Sequence, residues 1–312
     1  MTAGSTGLPG SLGLPGSPTV SPLGSPTDSP APRLAADTYA IASVDKAVQL
    51  LLAMAQWPPE RTAGVSELAR QLGLTKTQVY RLLRTLERHD LVVQEPGERR
   101  YRLGPTLLAL GEAARERIGL VRAARPVMDR LAAETGESVH LVERHQRLAV
   151  VVDLRDSAQR VRLTARVGGR YPLHAGACPQ AILAYLPAHQ QEQVLAQLAS
   201  LPRYTPRTVL DPARLRRILD DVRERGYAFS DEDVDPGARA VGAPIFGPSG
   251  EPVGAISVAG PSFRLPDALV PRYGALVRQA AAEVTARFGG VVPPAFERAA
   301  AADGPHHGER PS

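Results

Sequence analysis

Three clusters of residues in this chain have types and spacings that suit chemistry. His174 and Cys178 lie four apart in "PLHAGACPQ". A thiol and an imidazole at that spacing suit nucleophilic catalysis. Pro179 marks a helix start, and nearby helix amides would lower the thiol pKa and make Cys178 a redox sensor. No oxyanion motif, metal pair or phosphate loop accompanies the pair. A small buried thiol beside a packing histidine explains both residues as well. The second cluster is "LTKTQVYRLLRTLERHDLV", Leu74 to Val92, where four polar residues open a short amphipathic helix. The third, His306-His307, reads as part of a solvated tail, and neither a metal site nor a cofactor is expected.

The second cluster carries the most information. Thr75 followed three residues later by Gln78 fits a capping box, with Val79, Leu82, Leu83 and Leu86 facing a core. Capping explains two residues only. Lys76, Thr77, Gln78, Tyr80 and Arg81 remain on the first turn or the exposed side. Residues there reach base edges when such a helix enters the major groove, while later ones such as Arg84 and Arg88 lie nearer the backbone. The turn dipeptide Pro96-Gly97 follows, and Arg99 and Arg100 stand beyond it as phosphate contacts.

Elements on either side must hold this helix. "SVDKAVQLLLAMAQ" has apolar residues at 44, 47, 48, 51, 52 and 55, a helical spacing, with Ser43 as its cap. "GVSELARQLG" is a second helix with Ser66 as cap and Gly73 past its end. "DLVVQEPGERRYRLG" reads as two short strands. Three helices and then a hairpin are the order of a winged helix-turn-helix, over 38–104. Residues 105–119 read as a linker helix. From 120 to 290 a helix is followed by strands "SVHLVER", "RLAVVVDL" and "RVRLTARV". Helices follow around 182–185, 188–198 and 211–225, the last with Asp211 as cap. Strands "ARAVGAPIF" and "PVGAISVAG" come next, and a helix over 267–288 closes the block. The class is α+β with two domains. Residues 1–37, rich in Gly, Pro, Ser and Thr, are expected to be disordered; residues 291–312 are expected to be mobile.

Composition narrows the partners. The net charge is +5, and 10 Lys/Arg against 7 Asp/Glu between Thr38 and Gly104 give only +3 there, so bulk charge argues weakly for nucleic acid. A single cysteine excludes an internal disulfide. Neither a secretory signal nor an apolar run of membrane-spanning length is visible, which fits a cytoplasmic protein without a membrane partner.

From Ser43 to Arg264 the chain resembles the IclR family of bacterial transcriptional regulators. The resemblance is carried by "SVDKAVQLL" at Ser43, "VSELARQLGLTKTQVYRLLRTLERHDLV" at Val65, "YRLGPTLLALG" at Tyr101, "VGGRYPLHAGA" at Val167, "RGYAFSDEDVDPGARAVGAPIF" at Arg225 and "GAISVAGP" at Gly254. It implies a winged helix-turn-helix, a linker helix and a GAF-like effector-binding domain. It also implies dimers or tetramers on a near-palindromic double-stranded operator, more commonly as repressors, answering a small molecule that is often a carboxylate. Carried over residue by residue, the effector site comprises Ala175, Gly176, Ala177, Asp233, Ala240 and Ser257, with Cys178 and Gln180 of the same segment as further candidates. Where the family usually has Thr, Gly-Lys, Glu and Ser or Cys, this chain has Gly176, Pro179-Gln180, Asp233 and Ala240. The changes remove a hydroxyl, an amide hydrogen and a positive charge. Arg166 and Arg170 are the candidates to restore anion affinity.

Overall fold

In the computed structural model, which describes residues 41–58 and 61–302, the chain forms an N-terminal helical unit and a larger α+β unit. The stretch expected to be disordered, 1–37, lies outside the described residues, as do His306 and His307.

The first unit runs α1 (Ala42–Ala55), β1 (Ala63–Gly64), α2 (Val65–Leu72), α3 (Lys76–Glu87), β2 (Val92–Gln94) and β3 (Arg100–Leu103). The three strands pair antiparallel in the order β1-β3-β2. Leu50, Met54, Leu68, Val79, Leu83, Leu86, Val92 and Tyr101 form one buried cluster. The expected caps Ser43 and Ser66 do not serve. Ser43 lies inside the first turn of α1, whose preceding residue is Ile41, and α2 springs directly from Gly64, which is paired in β1. Gly73 ends α2 in the left-handed conformation, as expected. On α1 the buried side is Leu50, Ala53 and Met54, while Val44, Val48 and Leu52 are exposed.

The linker helix α4 (Thr106–Arg117) meets α5 (Gly119–Thr135) at Ile118, whose extended backbone interrupts the helical run. Then come β4 (Ser138–His145), β5 (Leu148–Arg155), β6 (Arg170–Pro172), α6 (Ala177–Ala184), α7 (Ala188–Ala196), α8 (Pro212–Arg225), β7 (Ala228–Asp231), β8 (Ala238–Phe246), β9 (Pro252–Pro261), α9 (Val270–Phe288) and α10 (Pro294–Ala302). The six strands form one antiparallel sheet, β6-β5-β4-β9-β8-β7. Alternate residues face opposite sides of it. Val139, Leu141, Val241, Ile256 and Val258 pack with Met128 of α5 and Val277 and Val284 of α9. Val142, Val151 and Ala255 pack with Ile182 of α6 and Leu219 of α8.

Three expectations for this unit fail. The segment "RVRLTARV" alternates like a strand but is irregular, and only the short β6 beyond it pairs with β5. Its half-buried Leu163 and Ala165 turn towards a cavity instead of a neighbouring strand. The helix expected around 182–185 starts at Ala177, and all its residues are buried, so it lacks the amphipathic period that marks a helix in sequence. Beyond residue 291 the chain is not mobile throughout, because α10 docks Phe296 against Tyr185 and Phe246 in edge-to-face contacts.

Candidate functional site

One surface is built around α3. Thr75 caps it and the capping box is complete. The Gln78 amide donates to Thr75 Oγ1 at 3.3 Å, and Gln78 Oε1 accepts the Thr75 amide at 3.1 Å. Val79, Leu83 and Leu86 are buried beneath, so Lys76, Thr77, Gln78, Tyr80, Arg81 and Arg84 all lie exposed on the other side. Capping uses Gln78 Oε1 and leaves its Nε2 with no bond to the described residues. Arg84 shares its guanidinium with Glu87 at 2.6 Å.

The hairpin of β2 and β3 presents Arg99 to solvent, while Arg100, also exposed, is bonded within the unit. Its Nε donates to Thr62 Oγ1 at 2.7 Å, a second nitrogen donates to the Thr62 carbonyl, and Glu67 lies 3.6 Å away. The reason is register: Arg100 pairs with Gly64 across the sheet, which brings it beside the chain leading into α2. Arg102, missed in the sequence, is exposed on β3 and paired with Glu95 at 2.7 Å.

The second site is a cavity of about 120 Å³ under the start of α6. Its floor follows from the pairing of small residues on one face of the sheet. Ser230 pairs with Ala240, Ala240 with Ala259, and Gly242 with Ser257, which in turn pairs with His140. Larger side chains at these positions would fill the hollow. Gly242 also lets α6 approach, since a Cβ there would meet the Ala177 carbonyl carbon at 3.1 Å. Gly176 enters α6 at φ 91°, a conformation that favours glycine.

Six of the eight expected effector residues line this cavity: Ala175, Gly176, Ala177, Cys178, Ala240 and Ser257. Gln180 and Asp233 do not. Both are buried behind its wall. Asp233 accepts the Gly176 amide at 3.0 Å, the Gln180 side-chain amide at 3.1 Å and the Ser230 hydroxyl. These bonds tie the loop before β8 to the entry of α6, so the pair shapes the site without entering it. Arg166 and Arg170 are also absent from the lining; both are exposed, and Arg166 donates to the carbonyl of Ala55, at the end of α1, at 2.6 Å.

The wall further includes His140, Tyr171, Ser230, Val234, Asp235 and Arg239, which sequence reasoning missed. One signal was available: a histidine at the centre of the apolar strand "SVHLV". Burial holds the His140 imidazole down to about 4, with Asp156 opposing, so it is neutral. Burial, and then Asp233, raise the Asp235 carboxyl.

The thiol–imidazole reading does not survive. Burial pushes the Cys178 thiol up to about 12 against the lowering effect of its hydrogen bond with Ser257, so a thiolate does not form there. His174 donates from Nε2 to the Pro202 carbonyl at 3.0 Å and stacks on Tyr204. The amides of α6 do not offset the burial.

Comparison with known proteins places both units in one family. Residues 43–96 match the IclR helix-turn-helix domain and residues 112–286 match the bacterial transcriptional regulator IclR C-terminal domain. The chain is 32% identical over 266 residues to the transcriptional repressor IclR of Escherichia coli (strain K12), covering 84% of this chain and 95% of that one. It is similar to the crystal structure of a regulator from Alicyclobacillus acidocaldarius, with a TM-score of 0.72, 31% identity, and coverage of 81% and 100% of the two chains. It is also similar to an IclR homologue of Microbacterium hydrocarbonoxydans crystallised with 4-hydroxybenzoate, with a TM-score of 0.67, 25% identity, and coverage of 79% and 98%. No helix among the described residues is long and apolar enough to cross a membrane. The chain belongs to the IclR family of bacterial transcriptional regulators, with a helix-turn-helix DNA-binding domain and an α+β effector-binding domain.

Proposed function

We propose that this regulator acts in the cytoplasm as a repressor, reading a near-palindromic operator with α3 and releasing it when a small molecule fills the cavity under α6. The observation that carries the reading is the division of α3: a rigidly capped first turn with Lys76, Thr77, Gln78, Tyr80 and Arg81 outside and a packed apolar side within. Base contacts specify sequence and phosphate contacts position the protein. Lys76, Thr77 and Gln78 are the base readers, with Tyr80, Arg81, Arg84 and Arg99 nearer the backbone.

A dimer or tetramer follows from two considerations. One recognition helix contacts too few base pairs to select an operator, and two-fold symmetry matches a palindrome. In addition, Ile41, Val44, Val48 and Leu52 form an exposed apolar stripe along one side of α1, and Leu108 and Leu110 of α4 are exposed too. A helix apolar on two sides calls for a second partner surface, and a second copy of the chain supplies it.

The effector acts only if it binds the DNA-competent and DNA-incompetent arrangements unequally. Among the described residues, the helical path α4–α5 joins the effector-binding domain to the DNA-binding unit, and the segment Leu163–Ala165 of the cavity wall leads directly to Arg166 and its bond to α1. A gel shift on the DNA upstream of the protein's own gene, with metabolites of the neighbouring operon added in turn, tests the reading. Retardation that one metabolite relieves is expected. Equal affinity for that DNA and for random DNA at the same salt would refute it.

A further inference from the structure

We propose that the cavity under α6 takes an uncharged, ring-sized molecule whose hydroxyl or carbonyl group bonds to the imidazole of His140. The inference rests on the reading of this domain as an effector sensor and names the class of effector. Four observations lead to it. The first is size. About 120 Å³ is close to the roughly 150 Å³ cavity that holds one benzene ring in another protein. The second is the wall. Val142, Val151, Leu163, Val234 and the methyl groups of the lining alanines offer an apolar body its contacts.

The third is charge. Among the described lining residues Arg239 is the only arginine or lysine, and it is already shared between Asp231 at 2.6 Å and Asp267 at 2.8 Å, with the Leu265 carbonyl as a further acceptor. Asp233 already accepts the Gly176 amide at the entry of α6, so the protein's own carboxylate stands where an anionic ligand would draw on that amide. Asp235 adds a second acidic group at the wall. A carboxylate entering the cavity would lose its water, meet Asp235 at the wall with Asp233 behind it, and find no uncommitted cation among the described lining residues. Burying a charge without a partner is strongly unfavourable.

The fourth is an unused polar group. His140 forms part of the wall, yet its Nε2 is buried without a hydrogen-bond partner among the described residues. A neutral imidazole donates at one nitrogen and accepts at the other, so a hydroxyl or carbonyl satisfies it without any charge. Native structures rarely leave such an atom unpaired. Ser230, Ser257 and the Tyr171 hydroxyl around the same cavity are neutral as well, and they suit a ligand of the same kind.

The test is calorimetric titration of the full chain at neutral pH, without DNA, using benzyl alcohol, toluene and benzoate as matched rings. Benzyl alcohol is expected to bind at least about tenfold more tightly than either of the others. His140→Leu is expected to erase the preference of benzyl alcohol over toluene. Should that variant fail to fold, the ring ¹⁵N resonances of His140 in the wild type must shift with benzyl alcohol and stay put with toluene. Benzoate binding as tightly as benzyl alcohol would overturn the inference while leaving the sensor reading intact. Failure of all three rings to bind would overturn it as well. Benzyl alcohol binding that leaves operator affinity unchanged would support the inference and count against the sensor reading for that probe.

Discussion

The guanidinium of Arg166 donates a 2.6 Å hydrogen bond to the carbonyl of Ala55, joining the cavity wall of the effector-binding domain to the end of the first helix of the DNA-binding domain. Both residues are exposed, so the bond adds little to stability, below about 1 kcal/mol. Its place between the two sites gives it a different role. Arg166→Ala is expected to leave both the melting temperature and ligand affinity without DNA nearly unchanged, while reducing the ligand's effect on operator binding several-fold. An unchanged effect would leave the α4–α5 path as the sole coupling route.

Gln78 has two duties that a pair of substitutions separates. Gln78→Glu keeps the capping box, because Glu serves at that position as well as Gln, but puts a negative charge against DNA. Gln78→Ala removes the base contact and the side-chain half of the capping box, but keeps the bond from its backbone amide to Thr75 Oγ1. Gln78→Ala is expected to reduce discrimination between operator and random DNA by roughly 1–3 kcal/mol. Gln78→Glu is expected to fold normally and to bind operator poorly. Equal losses on both DNAs for Gln78→Ala would mean that the residue only caps α3.

The two neighbouring arginines of the wing should behave differently. Arg99 is exposed and carries no bond to the described residues, whereas Arg100 is held by Thr62 and Glu67. Arg99→Ala is expected to weaken operator and random DNA alike and to lower the salt dependence by about one counterion. Arg100→Ala is expected chiefly to lower the melting temperature of the DNA-binding domain. A larger DNA effect from Arg100 than from Arg99, at unchanged stability, would contradict this assignment.

Phe296 is 2% exposed and packs edge-to-face on Tyr185 and Phe246, with ring centroids 5.8 and 5.3 Å away. The Arg278 guanidinium donates to the Ala299 carbonyl at 3.0 Å and holds the same helix. Phe296→Ala is expected to cost roughly 3–4 kcal/mol, read by chemical denaturation. A variant as stable as the wild type would show that α10 does not dock.

The sequence makes α3 readable because the relevant signals are local: Thr75 and Gln78 sit one helical turn apart, and Val79, Leu83 and Leu86 mark the buried side. It makes only part of the cavity readable. Ala175 to Cys178 are contiguous and precede a proline, and Ala240 and Ser257 come from the family resemblance, but His140 and Ser230 join them only through strand register, which pairs residues far apart in the chain. Asp233 stands out in sequence, yet only its bonds to Gly176 and Gln180 show that it braces the wall. The docking of α10 was invisible because its face is mostly alanine, with Phe296 as its one large apolar anchor. For Arg100, charge and the turn before it suggest DNA, and nothing local reveals Thr62 beside it.

In the proposed function, occupancy of the cavity and operator binding are coupled. Linkage makes this measurable in reverse, since operator DNA must change ligand affinity by the same factor as ligand changes DNA affinity. The direct test is calorimetric titration of the compound that releases the protein from its upstream DNA, once with the protein alone and once with the protein saturated by that DNA. Weaker ligand binding is expected in the presence of DNA, by about 5- to 150-fold, matching the loss of DNA affinity measured with ligand. Identical ligand affinities with and without DNA would contradict it.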